Sequence, residues 1–171
     1  MKPTDLQQFI TDESAAFAQY AAPMTEAEFA DQPNGRWSVG DTAQHLYLSV
    51  RPVVRVLSGP REIFAQWSEA SGPSRTYEAI AADYHRALAT GIKAPPAFSP
   101  RPDDIPDDKT TTLARLADVH MALAEQVAVL TDNELDRLQV PHPAMGMMSL
   151  REMILFTGVH TRHHIAVLEG Y

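Results

Sequence analysis

The chain contains seven histidines, and three of them, His160, His163 and His164, fall within five positions near its C-terminal end. Which face they occupy matters more than their number. Leu150, Met153, Thr157, His160, His164 and Val167 recur at gaps of 3, 4, 3, 4 and 3, the spacing of one helix face turned toward a core. His160 and His164 therefore stand where a helical bundle places leucine. Two neutral imidazoles one turn apart in an apolar interior are costly unless each ring nitrogen finds a partner. A hydrogen-bonded polar network is one solution. A metal ion is the other, because i, i+4 spacing lets both rings reach a single ion. His163 lies about 60° from His160 around the same helix and is an alternative to His164. A metal needs a third group, and His45, beside a second apolar seam with Thr42 and Ser49 on its own side, is the candidate.

The elements that must position these groups are helical nearly throughout. A first helix is predicted from 4 to about 21, with Leu6, Phe9, Ile10, Phe17 and Tyr20 on one face and Pro23 as its stop. Ser38 and Asp41 form a capping box for a second, whose seam Val39, Ala43, Leu46, Val50, Val53, Leu57 has gaps of 4, 3, 4, 3 and 4. A third runs from about 107 to 130, with Leu113, Leu116, Val119, Leu123, Val127 and Leu130 as its stripe. Ser149 and Glu152 cap the fourth, and Gly170 stops it. Shorter helical pieces are predicted at 61–70 and 74–90. Residues 94–102 with Pro106 read as a proline-rich loop, and 140–146 as a second loop. Alternating strand-type runs are missing, so little sheet is expected. The reading is an all-α four-helix bundle, one domain over residues 1–171, with short extra helices between the second and third long ones.

Composition narrows the function. Lys and Arg total 14 and Asp and Glu 22, a net charge of −8, which argues against a nucleic-acid binder because that needs a basic face. Cysteine is absent, so thiolate metal sites, iron–sulfur clusters, disulfides and cysteine nucleophiles are excluded. No apolar run reaches the roughly 18 residues of a membrane span, and the start of the chain lacks the apolar core of a signal peptide, so a cytoplasmic location is expected. Trp37 reads as a core anchor and Arg162 as a solvated or dimer-face charge. His142 is a loop histidine within reach of the site mouth. Asp103, Asp104, Asp107 and Asp108 read as a solvated acidic cluster.

The run Trp37-Ser38-Val39-Gly40-Asp41-Thr42-Ala43-Gln44-His45-Leu46 resembles the W-S-x-x-(E/D)-x-x-x-H-L signature of the DinB/YfiT-like superfamily, and His160-Thr161-Arg162-His163-His164 resembles its H-x-x-x-H motif. The resemblance covers essentially the whole chain. It implies an up-down-down-up four-helix bundle, a homodimer, and a divalent metal held by three histidines, here His45, His160 and His164. Members include transferases that use low-molecular-weight thiols such as bacillithiol, thiol-dependent isomerases, and proteins described as metal-dependent hydrolases without a known substrate. The family often carries an Asp after the first histidine of the pair and a Gln shortly after the second. This chain has Thr161, Ala166 and Val167 there, which leaves the groups that orient its histidines unassigned.

The expected function is thus a metal-dependent enzyme acting on a small molecule, transferase-like with a low-molecular-weight thiol or hydrolase-like. Zn or Ni is the expected ion, although three imidazoles suit Zn, Ni, Fe or Cu alike. The competing class is a non-enzymatic metal-binding or stress-response bundle. An open coordination position facing a pocket distinguishes the first from the second.

Overall fold

The computed structural model describes residues 1–104 and 108–170. Pro106 and Asp107, assigned above to the proline-rich loop and to the start of the third long helix, lie outside the described residues, as does Tyr171. The element order is α1 (Pro3–Ala21), α2 (Glu26–Ala30), α3 (Val39–Leu57), α4 (Tyr77–Ala89), α5 (Lys109–Ala128), α6 (Asp132–Arg137), β1 (Gln139–His142), β2 (Gly146–Ser149) and α7 (Leu150–Glu169). The four long helices fall where the apolar seams place them. The pieces between the second and third resolve into a 3₁₀ turn at Arg61–Gln66 and the full helix α4.

Local chemistry sets the helix boundaries. Ser38 Oγ accepts from the Asp41 amide while the Asp41 carboxylate accepts from the Ser38 amide, both at 2.9 Å. Thr25 with Glu28, Thr131 with Glu134 and Ser149 with Glu152 form the same reciprocal cap at the starts of α2, α6 and α7. Gly170 ends α7 at φ 96°, a left-handed conformation that glycine adopts without steric cost.

The bundle closes with α1 against α5 and α7, and α3 against α5 and α7. Direction follows from side-chain pairs. Gln7 near the start of α1 donates to the Ala124 carbonyl near the end of α5, so these two are antiparallel. Gly158 of α7 lies against Phe9 and Glu13, and Arg162 pairs with Glu13, so α1 and α7 run in parallel. Trp37 stands by His164 and His45 by His160, so α3 and α7 are antiparallel. The result is the up-down-down-up order, and the long crossover after α3, residues 58–108, lets α3 and α5 point the same way. Along it, α4 lies across α7.

Helix α7 is central. Except at Arg151, which is half-buried, residues Leu150–Thr161 are buried on every side, polar members included. It is enclosed by α1, α3, α4, α6 and the β hairpin. Glu152 shows how such a position tolerates charge. Its carboxylate accepts from the Arg75 backbone amide at 2.8 Å and from the Arg75 guanidinium twice at 3.0 Å, and Arg75 also binds Asp83. The crossover is thereby clamped to the N-terminus of α7.

The residues expected to form a loop at 140–146 instead include most of an antiparallel hairpin. Val140 pairs with Met148 and both are buried, while Pro141 opposes Met147 on the outer face. With only two strands, each is an edge strand, where a proline's missing N–H is tolerated. Pro141 and Pro143 hid the alternation in the sequence.

Two stability predictions follow from α7. A methyl group at Gly158 would meet the ring of Phe9, at 2.9 Å from Cε1, and Glu13 Cγ at 3.0 Å. The better helix propensity of alanine, worth about 1 kcal/mol, offsets only part of that overpacking. Gly158→Ala is therefore expected to lose about 1–2 kcal/mol in urea unfolding; a stabilised variant would show that α1 and α7 are not in close contact. The second concerns pH. Burial pushes the Glu152 carboxyl up, but hydrogen bonds from the Arg75 side chain, the Arg75 amide and the Ser149 amide outweigh it, leaving the group below its ordinary value of 4.5. A depressed carboxyl contributes stability that is present above its unfolded-state value and lost as pH falls through the folded one. Replacing Arg75 by Met is expected to cost about 2 kcal/mol at pH 7, discounted because the guanidinium is partly solvated. Unfolding measured at pH 7 and pH 3 should show that gap closing in acid; a gap independent of pH would contradict the clamp.

Candidate metal centre and its cavity

His45 comes from the first half of α3, two turns after its capping box, and His160 and His164 from successive turns of α7. The antiparallel crossing of the two helices brings them together. His45 Nε2 lies 3.0 Å from His160 Nε2, and His164 Nε2 lies 3.0 Å from the same atom. All three ring nitrogens fall within 4.8 Å of one another. His163 is not in this cluster. Its ring packs edge-on to His164 and Tyr84, with centroids at 5.0 and 5.4 Å, and lies 6.3 Å from that of His85.

The environment keeps these rings neutral. His45 is lowered from its ordinary value of 6.5 by burial, partly offset by its hydrogen bond to the Phe98 carbonyl. His160 is fully enclosed and is held well below that value, by burial first and then by the rings of His164, His45, His163 and His142. Burial and then the neighbouring His45 and His163 rings push His164 down to about 2. A neutral imidazole carries a lone pair on one nitrogen, the form that ligates a metal.

Hydrogen bonding fixes which nitrogen that is at His45. Its Nδ1–H donates to the Phe98 carbonyl at 2.6 Å, so Nε2 bears the lone pair and faces the other two rings. Packing orients the other two rings. Phe156 stacks on His160 at 5.3 Å with Tyr84 edge-on at 5.9 Å, and Trp37 stacks on His164 at 6.4 Å.

The cluster fits a divalent ion. His160 Nε2 is equally close to two other ring nitrogens, and a single N–H can serve only one of them. A shared cation satisfies all three lone pairs. Two ligands about 2.0–2.1 Å from one ion, at a little over 90°, also stand about 3 Å apart, matching the spacing found.

The histidines open onto a cavity of about 580 Å³, within the range of small-molecule sites. No aspartate or glutamate is among its described lining residues, and Lys93 is the one charged residue there. Trp37, expected to be a core anchor, is a cavity wall packed on His45 at 4.9 Å. His142 also faces the cavity, from the end of β1, with its ring 4.4 Å from that of Phe156. Its Nδ1 accepts from the Ala144 and Met145 amides, so its neutral form carries the proton on Nε2, and burial lowers it to about 4. Burial raises the Tyr84 hydroxyl to about 12. Glu152 belongs to its cap and to Arg75, and Arg162 pairs with Glu13 away from the cavity. Tyr84, Phe98 and Phe156 carried no signal as site residues in the sequence, since aromatic residues on helical faces or in proline-rich loops read as core or linker.

Fold and cluster together define a helical bundle of uncommon connectivity with three imidazoles converging where its second and fourth long helices cross. The sequence matches the family profile of the DinB superfamily over residues 10–168, and the chain belongs to that superfamily. Among solved structures it is similar to YfiT from Bacillus subtilis, described as a probable metal-dependent hydrolase with an unusual four-helix bundle topology. The TM-score is 0.58 at 19% identity, covering 96% of this chain and 82% of YfiT. No curated protein sequence matches the chain.

Replacing His45, His160 or His164 by Ala is expected to lower affinity for Zn or Ni by on the order of tenfold or more. His163→Ala should change it far less. Metal analysis of untagged protein together with competition against a chelator measures both; loss in His163→Ala with retention in His164→Ala would reverse the assignment.

Proposed function

We propose that the protein is a metal-dependent enzyme in which His45, His160 and His164 hold a divalent ion, Zn or Ni, and that it transfers a small thiol to an electrophilic substrate in preference to hydrolysing one. The observation that carries the reading is the placement of three neutral imidazoles, converging through Nε2, at the wall of a cavity with no carboxylate among its described lining residues. Three uncharged ligands leave an ion its full positive charge, and the adjoining cavity offers a substrate access to it. An ion there supplies Lewis acidity, polarising a carbonyl or lowering the pKa of a bound water or thiol.

The remaining roles belong to the chain. The Phe98 carbonyl orients His45, and Trp37 and Phe156 keep bulk water from the ring faces. The Tyr84 hydroxyl remains protonated at neutral pH and serves as a donor, not a base. His142 presents Nε2–H as a second donor. Hydrolysis asks for a base to activate water, and with no carboxylate among the described lining residues that task falls to His163, the lining imidazole beside the cluster. A thiol ionises far more readily than water. With no cysteine in the chain, it must be supplied from outside. In this reading the enzyme works in the cytoplasm as a homodimer. The family resemblance, the absent cysteine and the absence of any helix among the described residues long and apolar enough to cross a membrane support that setting.

The test is electrophile consumption by metal-loaded protein, with and without a panel of small thiols, against a variant in which all three histidines are Ala. Turnover that needs both thiol and the intact histidines is expected. Equal turnover without thiol would favour hydrolysis, and none under any condition would favour the non-enzymatic class.

A further inference from the structure

The cavity has a second property that the histidine cluster does not account for. Beyond the cluster most of its wall is hydrocarbon: Phe156 stacked on His160, Val50 and Val53 one and two turns on from His45 in α3, Phe98 of the crossover, Leu88 of α4 and Ile92 just after α4. Ile92 keeps 40% of its surface exposed and is one of few large apolar side chains to do so among the described residues. It lies beside Lys93, at the opening. The strongly polar groups gather at one end, the histidine cluster with His163, the Tyr84 hydroxyl and His142 beside it. The hydroxyls of Ser49, Ser99 and Thr157 are single groups along the wall, and all three already donate to backbone carbonyls, Ser49 to His45, Ser99 to Pro95 and Thr157 to Ile154. A sugar or a peptide needs several donors and acceptors along its length, and leaving them unpaired in such a sleeve is costly.

We infer that the cavity takes an elongated, largely apolar molecule with one metal-ligating oxygen or sulfur head, the head at the histidines and the hydrocarbon body running past Val50 and Val53 toward Ile92. This inference rests on the reading of the histidines as a metal site, and it names the substrate class for that site. The driving force is transfer of hydrocarbon from water, about three- to fourfold in affinity for each methylene that enters. Lys93 at the opening accommodates a water-facing or weakly anionic far end.

Straight-chain alkyl hydroxamates from two to ten carbons, titrated calorimetrically into metal-loaded protein, separate the two questions. The expected result is affinity rising about three- to fourfold per carbon, then levelling once the chain emerges at Ile92. Val53→Asp, with helical content checked by circular dichroism, should flatten the rise, and the near-isosteric Val53→Thr should reduce it. If every length binds as weakly as the two-carbon compound, the apolar substrate class is wrong while the metal site stands. If no hydroxamate binds, the metal reading fails. In that case the same titration with n-alkanols decides the sleeve, a rise with chain length supporting it and a flat series overturning it. An unchanged rise in Val53→Asp would also overturn it, since the chain would then lie elsewhere.

Discussion

The ring nitrogens of His45 and His164 each stand 3.0 Å from that of His160 in an apolar interior, and protons cannot satisfy both contacts. Giving one ring a second proton charges it where burial penalises charge, and sharing the existing protons leaves one contact without a hydrogen. A cation would relieve that conflict, and much of the architecture holds the geometry that creates it. Helices α3 and α7 must cross at one level, which the up-down-down-up order achieves by setting them antiparallel while a long crossover passes outside.

Enclosing α7 on nearly every side is what keeps that geometry rigid. A helix whose first three turns are buried cannot rotate to relieve the histidines without moving five neighbouring elements. That enclosure carries costs of its own: a charged residue inside, Glu152, and a helix-to-helix approach too close for a side chain at Gly158. Arg75 offsets the first by reaching in from the crossover. Glycine meets the second.

How much of this could be read from the sequence depends on the range of the interactions. Capping boxes act over three residues and apolar seams over a few turns, so helix positions and the inward face of His160 and His164 were legible. His45 stood beside an independent seam on a second helix, and it was the resemblance of residues 37–46 to the superfamily signature that implied it as the third ligand. What stayed hidden depends on contacts between distant segments. The Phe98 carbonyl is a backbone group in a proline-rich stretch, and no side-chain pattern marks it. Trp37 looks the same in sequence whether it anchors a core or walls a cavity. Arg75 lies 77 positions before Glu152 and shows nothing locally of its role. The hairpin was masked because prolines, which punctuate loops, also fit the outer face of a two-stranded ribbon.

The bond from His45 to Phe98 joins positions 53 residues apart, and the turn around Phe98 is otherwise braced by short-range bonds back to Pro95 and Pro96. One imidazole therefore fastens a long strap to the bundle. An imidazole is also a conductor of polarity: electron density drawn from Nε2 makes the opposite N–H a stronger donor. A cation on Nε2 would therefore strengthen the bond from Nδ1–H to the Phe98 carbonyl on the far side of the same ring. By linkage, a crossover held in that position would in turn favour the cation, so the two ends of one imidazole tie the site to a segment 53 residues away.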